Sequence, residues 1–133
     1  NVSSREELLK RAREAQKNAY APYSNFQVGA ALLSAGGKVY TGSNVENSSY
    51  GLSICAERAA VFKAVNDGER DFALLAVVAS GQGYVFPCGA CLQVLAEFSP
   101  EMKLIITDEK DHYKEYALQD MLPQIFSLGK QEE

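Results

Sequence analysis

Residues 72–79 read FALLAVVA, with no charge and no turn former. An unbroken apolar run of this length suits a strand buried on both faces. It is far short of the roughly 20 residues that a membrane span requires. Immediately upstream, Ala56, Ala59, Ala60, Phe62, Ala64 and Val65 recur at helical spacing and Gly68 supplies a stop, so a helix is predicted over 55–66. Downstream, residues 88–98 read as a short helix ended by Pro100, and 102–107 as another strand. The strand–helix–strand passes over 38–79 and 72–107 suit right-handed parallel crossovers.

Working outward, Ser4-Arg5-Glu6-Glu7 has the S-x-x-E capping pattern ahead of Leu8, Leu9, Ala12, Ala15 and Ala19. A first helix over 4–18 follows, ended before Pro22. Strands over 26–33 and 38–45 flank the turn formers Gly36-Gly37. After a turn at 108–111, residues 112–116 alternate as a fifth strand, and 117–121 give a helical turn before Pro123. The order αββαβαββ predicts an α/β fold: a three-layer α/β/α arrangement around a five-stranded mixed sheet, with an antiparallel hairpin at each end. One domain over 1–133 is expected, with 127–133 as a flexible tail. A chain of 133 residues that is 47% hydrophobic can fill one core without disulfide staples.

The net charge is −4, and no basic run exceeds one or two residues. That argues against a nucleic-acid polymer as partner, and no segment suggests a membrane partner. The first ten residues, NVSSREELLK, carry charges where a secretory leader would be apolar. Three cysteines, an odd number, favour a reduced compartment, expected to be the cytoplasm, and thiols used for metal or catalysis.

The chemistry concentrates in Cys55-Ala56-Glu57 and Pro87-Cys88-Gly89-Ala90-Cys91, each at a predicted helix N-terminus. Residues three apart share a helix face, so Cys88 and Cys91 can grip one tetrahedral ion. The positive end of the helix dipole favours thiolates there. Cys55 supplies a third sulfur, and three protein ligands leave a fourth position for water, the mark of catalytic zinc. The only histidine, His112, lies in a polar stretch away from both phrases. Three thiolates blunt the acidifying effect of zinc, and Arg58 is the candidate cation that compensates their charge. Glu57 is placed to take a proton from bound water and return it elsewhere. Read singly, these signals are weaker. C-x-x-C also marks redox pairs and halves of structural zinc knuckles, and a lone cysteine is often a small hydrophobe.

Together, C-A-E and P-C-G-A-C, following F-Q-V-G-A-A-L and N-V-E-N, resemble the small homo-oligomeric cytidine deaminases. The resemblance runs from Ala21-Pro22-Tyr23-Ser24 to Leu122-Pro123 and Phe126. It implies hydrolytic deamination of cytidine and 2'-deoxycytidine to uridine and 2'-deoxyuridine, with release of ammonia. It implies one zinc per chain on Cys55, Cys88 and Cys91, zinc hydroxide attacking C4 of the base, and Glu57 as proton shuttle. The Ala56 backbone is implied as a base contact, Phe26 as packing against the base, and Asn44 with Glu46 as the ribose-binding pair. Phe126 is implied to reach a neighbouring subunit's pocket, within a homotetramer with shared active sites. Tyr23 and Tyr50 match positions near those subunit contacts.

Ordinary structural roles stand beside these readings. N-V-E-N is also a good surface turn, Phe26 a core strand residue and Phe126 simple packing of the last turn. One departure is that Leu92 follows the last cysteine, where the family usually has arginine; Ser43 likewise replaces a frequent cysteine. Competing functions are deamination of another aminopyrimidine nucleoside, of the blasticidin type or N4-modified, and a zinc-stabilised binding module without turnover. Charge and length disfavour a nucleic-acid editing deaminase. Guanine, adenine and deoxycytidylate deaminases usually carry histidine where Cys55 stands.

Overall fold

A computed structural model describes residues 4–129. Helix α1 (Arg5–Gln16) begins at Ser4, whose Oγ accepts a hydrogen bond from the Glu7 N–H at 3.1 Å. The capping signal thus sets the helix start, and the C-terminal end falls two residues short of the predicted 18. Strands β1 (Val28–Ser34) and β2 (Val39–Ser43) form the first hairpin. Its turn uses a positive φ of 96° at Gly37 but not at Gly36, and Ser34 N–H closes it onto the Lys38 carbonyl at 2.8 Å. Then come α2 (Ala56–Asn66), β3 (Phe72–Ala79), α3 (Gly89–Phe98), β4 (Lys103–Thr107), β5 (Tyr113–Ala117) and the single turn α4 (Leu118–Met121). The 3-10 turn at Tyr50–Leu52 has no counterpart among the predicted elements.

The sheet order is β2-β1-β3-β4-β5. β1 is antiparallel to both β2 and β3, β3 is parallel to β4, and β4 is antiparallel to β5. β2 and β3 therefore run parallel without touching, because β1 lies between them; only the second crossover joins neighbouring strands. This is the predicted five-stranded mixed sheet in three layers. On one face, Leu8, Leu9 and Ala12 of α1 pack on Ala31, Leu74, Ala76, Val78 and Ile105. On the other, Ala60 and Val61 of α2 and Leu92 and Leu95 of α3 pack on Ala30, Leu32, Leu75, Leu104 and Ile106. Burial on both faces is why 72–79 reads as continuously apolar.

Two glycines set how closely the helices approach. A Cβ at Gly29 would lie 2.1 Å from the Ala12 carbonyl oxygen, so α1 presses directly on β1. A Cβ at Gly42 would lie 2.5 Å from the Ala56 carbonyl oxygen and 2.6 Å from the Ala60 nitrogen. Gly42 thereby seats the first turn of α2 against β2. Since the obstacles are backbone atoms, no rotamer change relieves them. Gly42→Ala is expected to lower stability by about 1–3 kcal/mol through overpacking. Thermal unfolding measures this, and an unchanged midpoint would contradict the close seating of α2.

Candidate active site

The sheet delivers two helix N-termini to one place. Cys55 is the N-cap residue of α2, Cys88 is the N-cap residue of α3, and Cys91 lies in the first turn of α3. Their three sulfur atoms all lie within 4.8 Å of one another, and Cys88 Sγ to Cys91 Sγ is 3.5 Å. Zinc–sulfur bonds of about 2.3 Å in a tetrahedron require sulfurs roughly 3.8 Å apart. The cluster therefore fits a single zinc ion with only small adjustment, and the donor set is the one zinc favours. None of the three is in a disulfide.

The cluster is electrostatically strained in a way that suits a cation. A hydrogen bond from Cys91, and next one from Arg58, draws the Cys55 thiol down to about 5. The same contact with Cys55, then burial and the nearby Glu57 carboxylate, pushes Cys91 upward. The two thiols are pushed in opposite directions, whereas a bound divalent ion would deprotonate its thiol ligands outright. Arg58 Nη2 donates to Cys55 Sγ at 3.3 Å, and this bond raises the guanidinium pKa. Its Nε is buried with no hydrogen-bond partner among the described residues.

Glu57 is 6% exposed, in the first turn of α2. Burial, and then the Cys55 charge, push its carboxyl up to about 7. It lies two residues along from Cys55, the cap of the same helix. Ala56 is buried at the head of the same helix, where backbone N–H groups have no intrahelical acceptor.

Asn44 and Glu46 do not lie on a common strand, because β2 ends at Ser43. Asn44 straddles the entry to β1: its Oδ1 accepts from Val28 N–H and its Nδ2 donates to the Phe26 carbonyl, both at 2.8 Å. Glu46 Oε1 accepts from the Tyr23 and Ser24 N–H groups at 3.0 and 3.2 Å, and its Oε2 accepts from Ser24 Oγ. The Ser24 hydroxyl, above all, keeps the Glu46 carboxyl below its ordinary range. Tyr23, Ser24, Glu46, Tyr50 and Ser53 line a cleft of about 320 Å³. Phe26 precedes β1, half-buried, and a Cβ at Gly81 would lie 3.0 Å from its ring.

Phe126 stands apart, on the outer side of α3. Phe126 is 68% exposed, and its carbonyl accepts from Gln93 Nε2 at 2.9 Å. Residues 127–129 continue without helix or strand, while 130–133 of the expected tail lie outside the described residues. His112 Nδ1 is 3.1 Å from Asp108 Oδ2, and it does not belong to the sulfur cluster. Leu92 is buried in the core between α3 and the sheet. Sequence reasoning did not foresee Ser24 as the partner of Glu46; Pro22-Tyr23-Ser24-Asn25 signals a turn, but nothing local says which carboxylate caps it.

Comparison with known proteins agrees with this geometry. Residues 2–107 match the family described as the cytidine and deoxycytidylate deaminase zinc-binding region. A cytidine deaminase of Sporosarcina psychrophila is 50% identical over 123 residues, covering 92% of this chain and 90% of the relative. One from Halalkalibacterium halodurans is 48% identical over 124 residues, covering 92% and 94%. The crystal structure of a Burkholderia pseudomallei cytidine deaminase superposes with a TM-score of 0.90 at 45% identity, covering 93% of this chain and 100% of that one. The chain belongs to the cytidine and deoxycytidylate deaminase family, and the Cys55, Cys88 and Cys91 group is able to hold the family's zinc.

Elemental analysis of the purified protein is expected to find about one zinc per chain, the occupancy of a single tetrahedral site. Cys91→Ser, which replaces the buried ligand, is expected to lose most of it. Full zinc content in that variant would show that the ion sits elsewhere.

Proposed function

We propose that this chain is a zinc-dependent hydrolase that converts cytidine and 2'-deoxycytidine to uridine and 2'-deoxyuridine, releasing ammonia. The observation that carries the reading is the buried Glu57 beside three convergent sulfurs at two helix N-termini. The 50% and 48% identical relatives bearing the name cytidine deaminase support the substrate class.

Bound zinc supplies an activated water by lowering its pKa. The chain's own residues do the rest. Cys55, Cys88 and Cys91 hold the ion, and Arg58 offsets their negative charge. Glu57 takes a proton from the incoming water and delivers it to N3 of the pyrimidine. The water oxygen adds at C4; Glu57 then takes the second proton from that hydroxyl and hands it to the 4-amino group. The C4–N4 bond breaks, C4=O forms and ammonia leaves, so both protons of the water are accounted for. Burial keeps the carboxyl aimed and free of competing solvent.

Phe26 packs against the base and the Ala56 backbone contacts it. Asn44 and Glu46 hold sugar hydroxyls with lone pairs and protons that their loop contacts leave over; an amide nitrogen has two donors and a carboxylate several acceptor sites. The cleft at Tyr23, Ser24, Glu46, Tyr50 and Ser53 has the size for a sugar. It is open to solvent on one side, which supports a homotetramer in which the exposed Phe126 closes a neighbour's site, with Tyr23 and Tyr50 near the contact. A cytoplasmic location fits three unpaired thiols, and a single sheet with both of its faces covered fits one domain over 1–133.

Glu57→Gln keeps the shape and removes the proton shuttle. It is expected to slow uridine formation by about 10²–10⁴-fold, followed by loss of cytidine absorbance, while keeping its zinc. Retained turnover would remove Glu57 as the proton shuttle, whereas zinc binding with no turnover in the parent would leave only a zinc-stabilised binding protein. Arg58→Ala is expected to reduce turnover by about tenfold, the worth of a charge-assisted hydrogen bond; unchanged kinetics would remove Arg58 from the site.

A further inference from the structure

The three sulfurs are not held equally. Cys91 is buried inside α3. Cys55 follows Ile54, which exchanges two backbone hydrogen bonds with Val45 at 2.9 and 3.1 Å. Cys88 is exposed and arrives at the end of residues 80–87, a link that contains Gly81 and Gly83. Among the described residues, no backbone–backbone hydrogen bond involves residues 81–87.

Side chains from the second hairpin hold that link instead, at Gly83, Tyr84 and Phe86. Glu109, in the β4–β5 turn, accepts from Gly83 N–H at 2.7 Å. The Lys114 ammonium stands 4.5 Å from the centre of the Tyr84 ring. The Phe86 ring meets Tyr116 edge-on, with centroids 5.5 Å apart and planes at 65°. Lys114 and Tyr116 are two apart on β5, so they share a sheet face. Their neighbours Tyr113 and Glu115 point the other way and bind Glu6 and Arg5 of α1. β5 thus grips α1 with one face and the Cys88 link with the other.

We infer that β5 and its turn are a positioning device for the zinc ligand Cys88, with Phe86–Tyr116 and Tyr84–Lys114 as its clamps and Glu109 as its anchor. This rests on the reading of the chain as a zinc enzyme and adds what keeps its least supported ligand in place. Without the clamps Cys88 samples more positions, so one of three metal bonds reforms more slowly after it breaks, and the ion escapes. Partners that orient ligands commonly change metal affinity by about 10–100-fold when removed.

The experiment measures zinc release from the purified holoenzyme into a chromogenic chelator, beside the unfolding midpoint of the metal-free protein. Phe86→Ala is expected to release zinc about tenfold faster with the metal-free midpoint unchanged, because Phe86 is 52% exposed. Phe86→Tyr, which keeps the edge-on ring, is expected to match the parent. Lys114→Met, an exposed substitution, is expected to move release in the same direction, and it decides the matter if Phe86→Ala does not fold. Release at the parent rate in Phe86→Ala and Lys114→Met would overturn the inference. So would faster release that merely tracks a lowered metal-free midpoint and is not restored by Phe86→Tyr. If the parent holds zinc and deaminates while both variants release it normally, only this inference falls. If the parent holds no zinc, the functional reading falls first and takes the inference with it.

Discussion

Three sulfur atoms within 4.8 Å of one another can all carry charge only if a cation stands among them. The contacts with Cys91 and Arg58 draw the Cys55 thiol down, while the same contact with Cys55 pushes Cys91 up. That frustration is built at the meeting of two helix N-termini, whose dipoles already favour anions. Much of the surrounding structure serves the meeting. Gly42 lets α2 lie against β2, β3 and β4 lead to and from α3, and Glu57 is buried in the first turn of α2. The same convergence gives three sulfur donors at the spacing that a small, thiophilic dication takes.

The fold was legible where hydrophobic pattern and capping chemistry agreed. Ser4 and Glu7 marked the start of α1, and FALLAVVA located the central strand with the bounds that the structure has. Helices α2 and α3 begin one residue later than expected, because Cys55 and Cys88 are themselves the caps. Strand order was less accessible. Nothing local in 28–34 says that this strand inserts between β2 and β3, a consequence of long-range pairing that a local pattern cannot encode.

The site divides in the same way. The metal cluster was readable because its chemistry demands specific residue types at short spacing. Asn44 and Glu46 were readable only as a pair two residues apart; the structure has each side chain tying down a different stretch of the loop before β1. The support of Cys88 by Lys114 and Tyr116 left no trace in the sequence, since both look like the alternation of any exposed edge strand. Leu92, unusual for the resemblance, proves to be a core residue packed with Leu95 and Ile106.

The account stands on the metal's coordination, and X-ray absorption at the zinc edge of the purified protein reads that directly. The expected spectrum has three sulfur scatterers at about 2.3 Å and one oxygen at about 2.0 Å. Four sulfurs, a histidine pattern, or no stoichiometric zinc would contradict a catalytic site built on Cys55, Cys88 and Cys91.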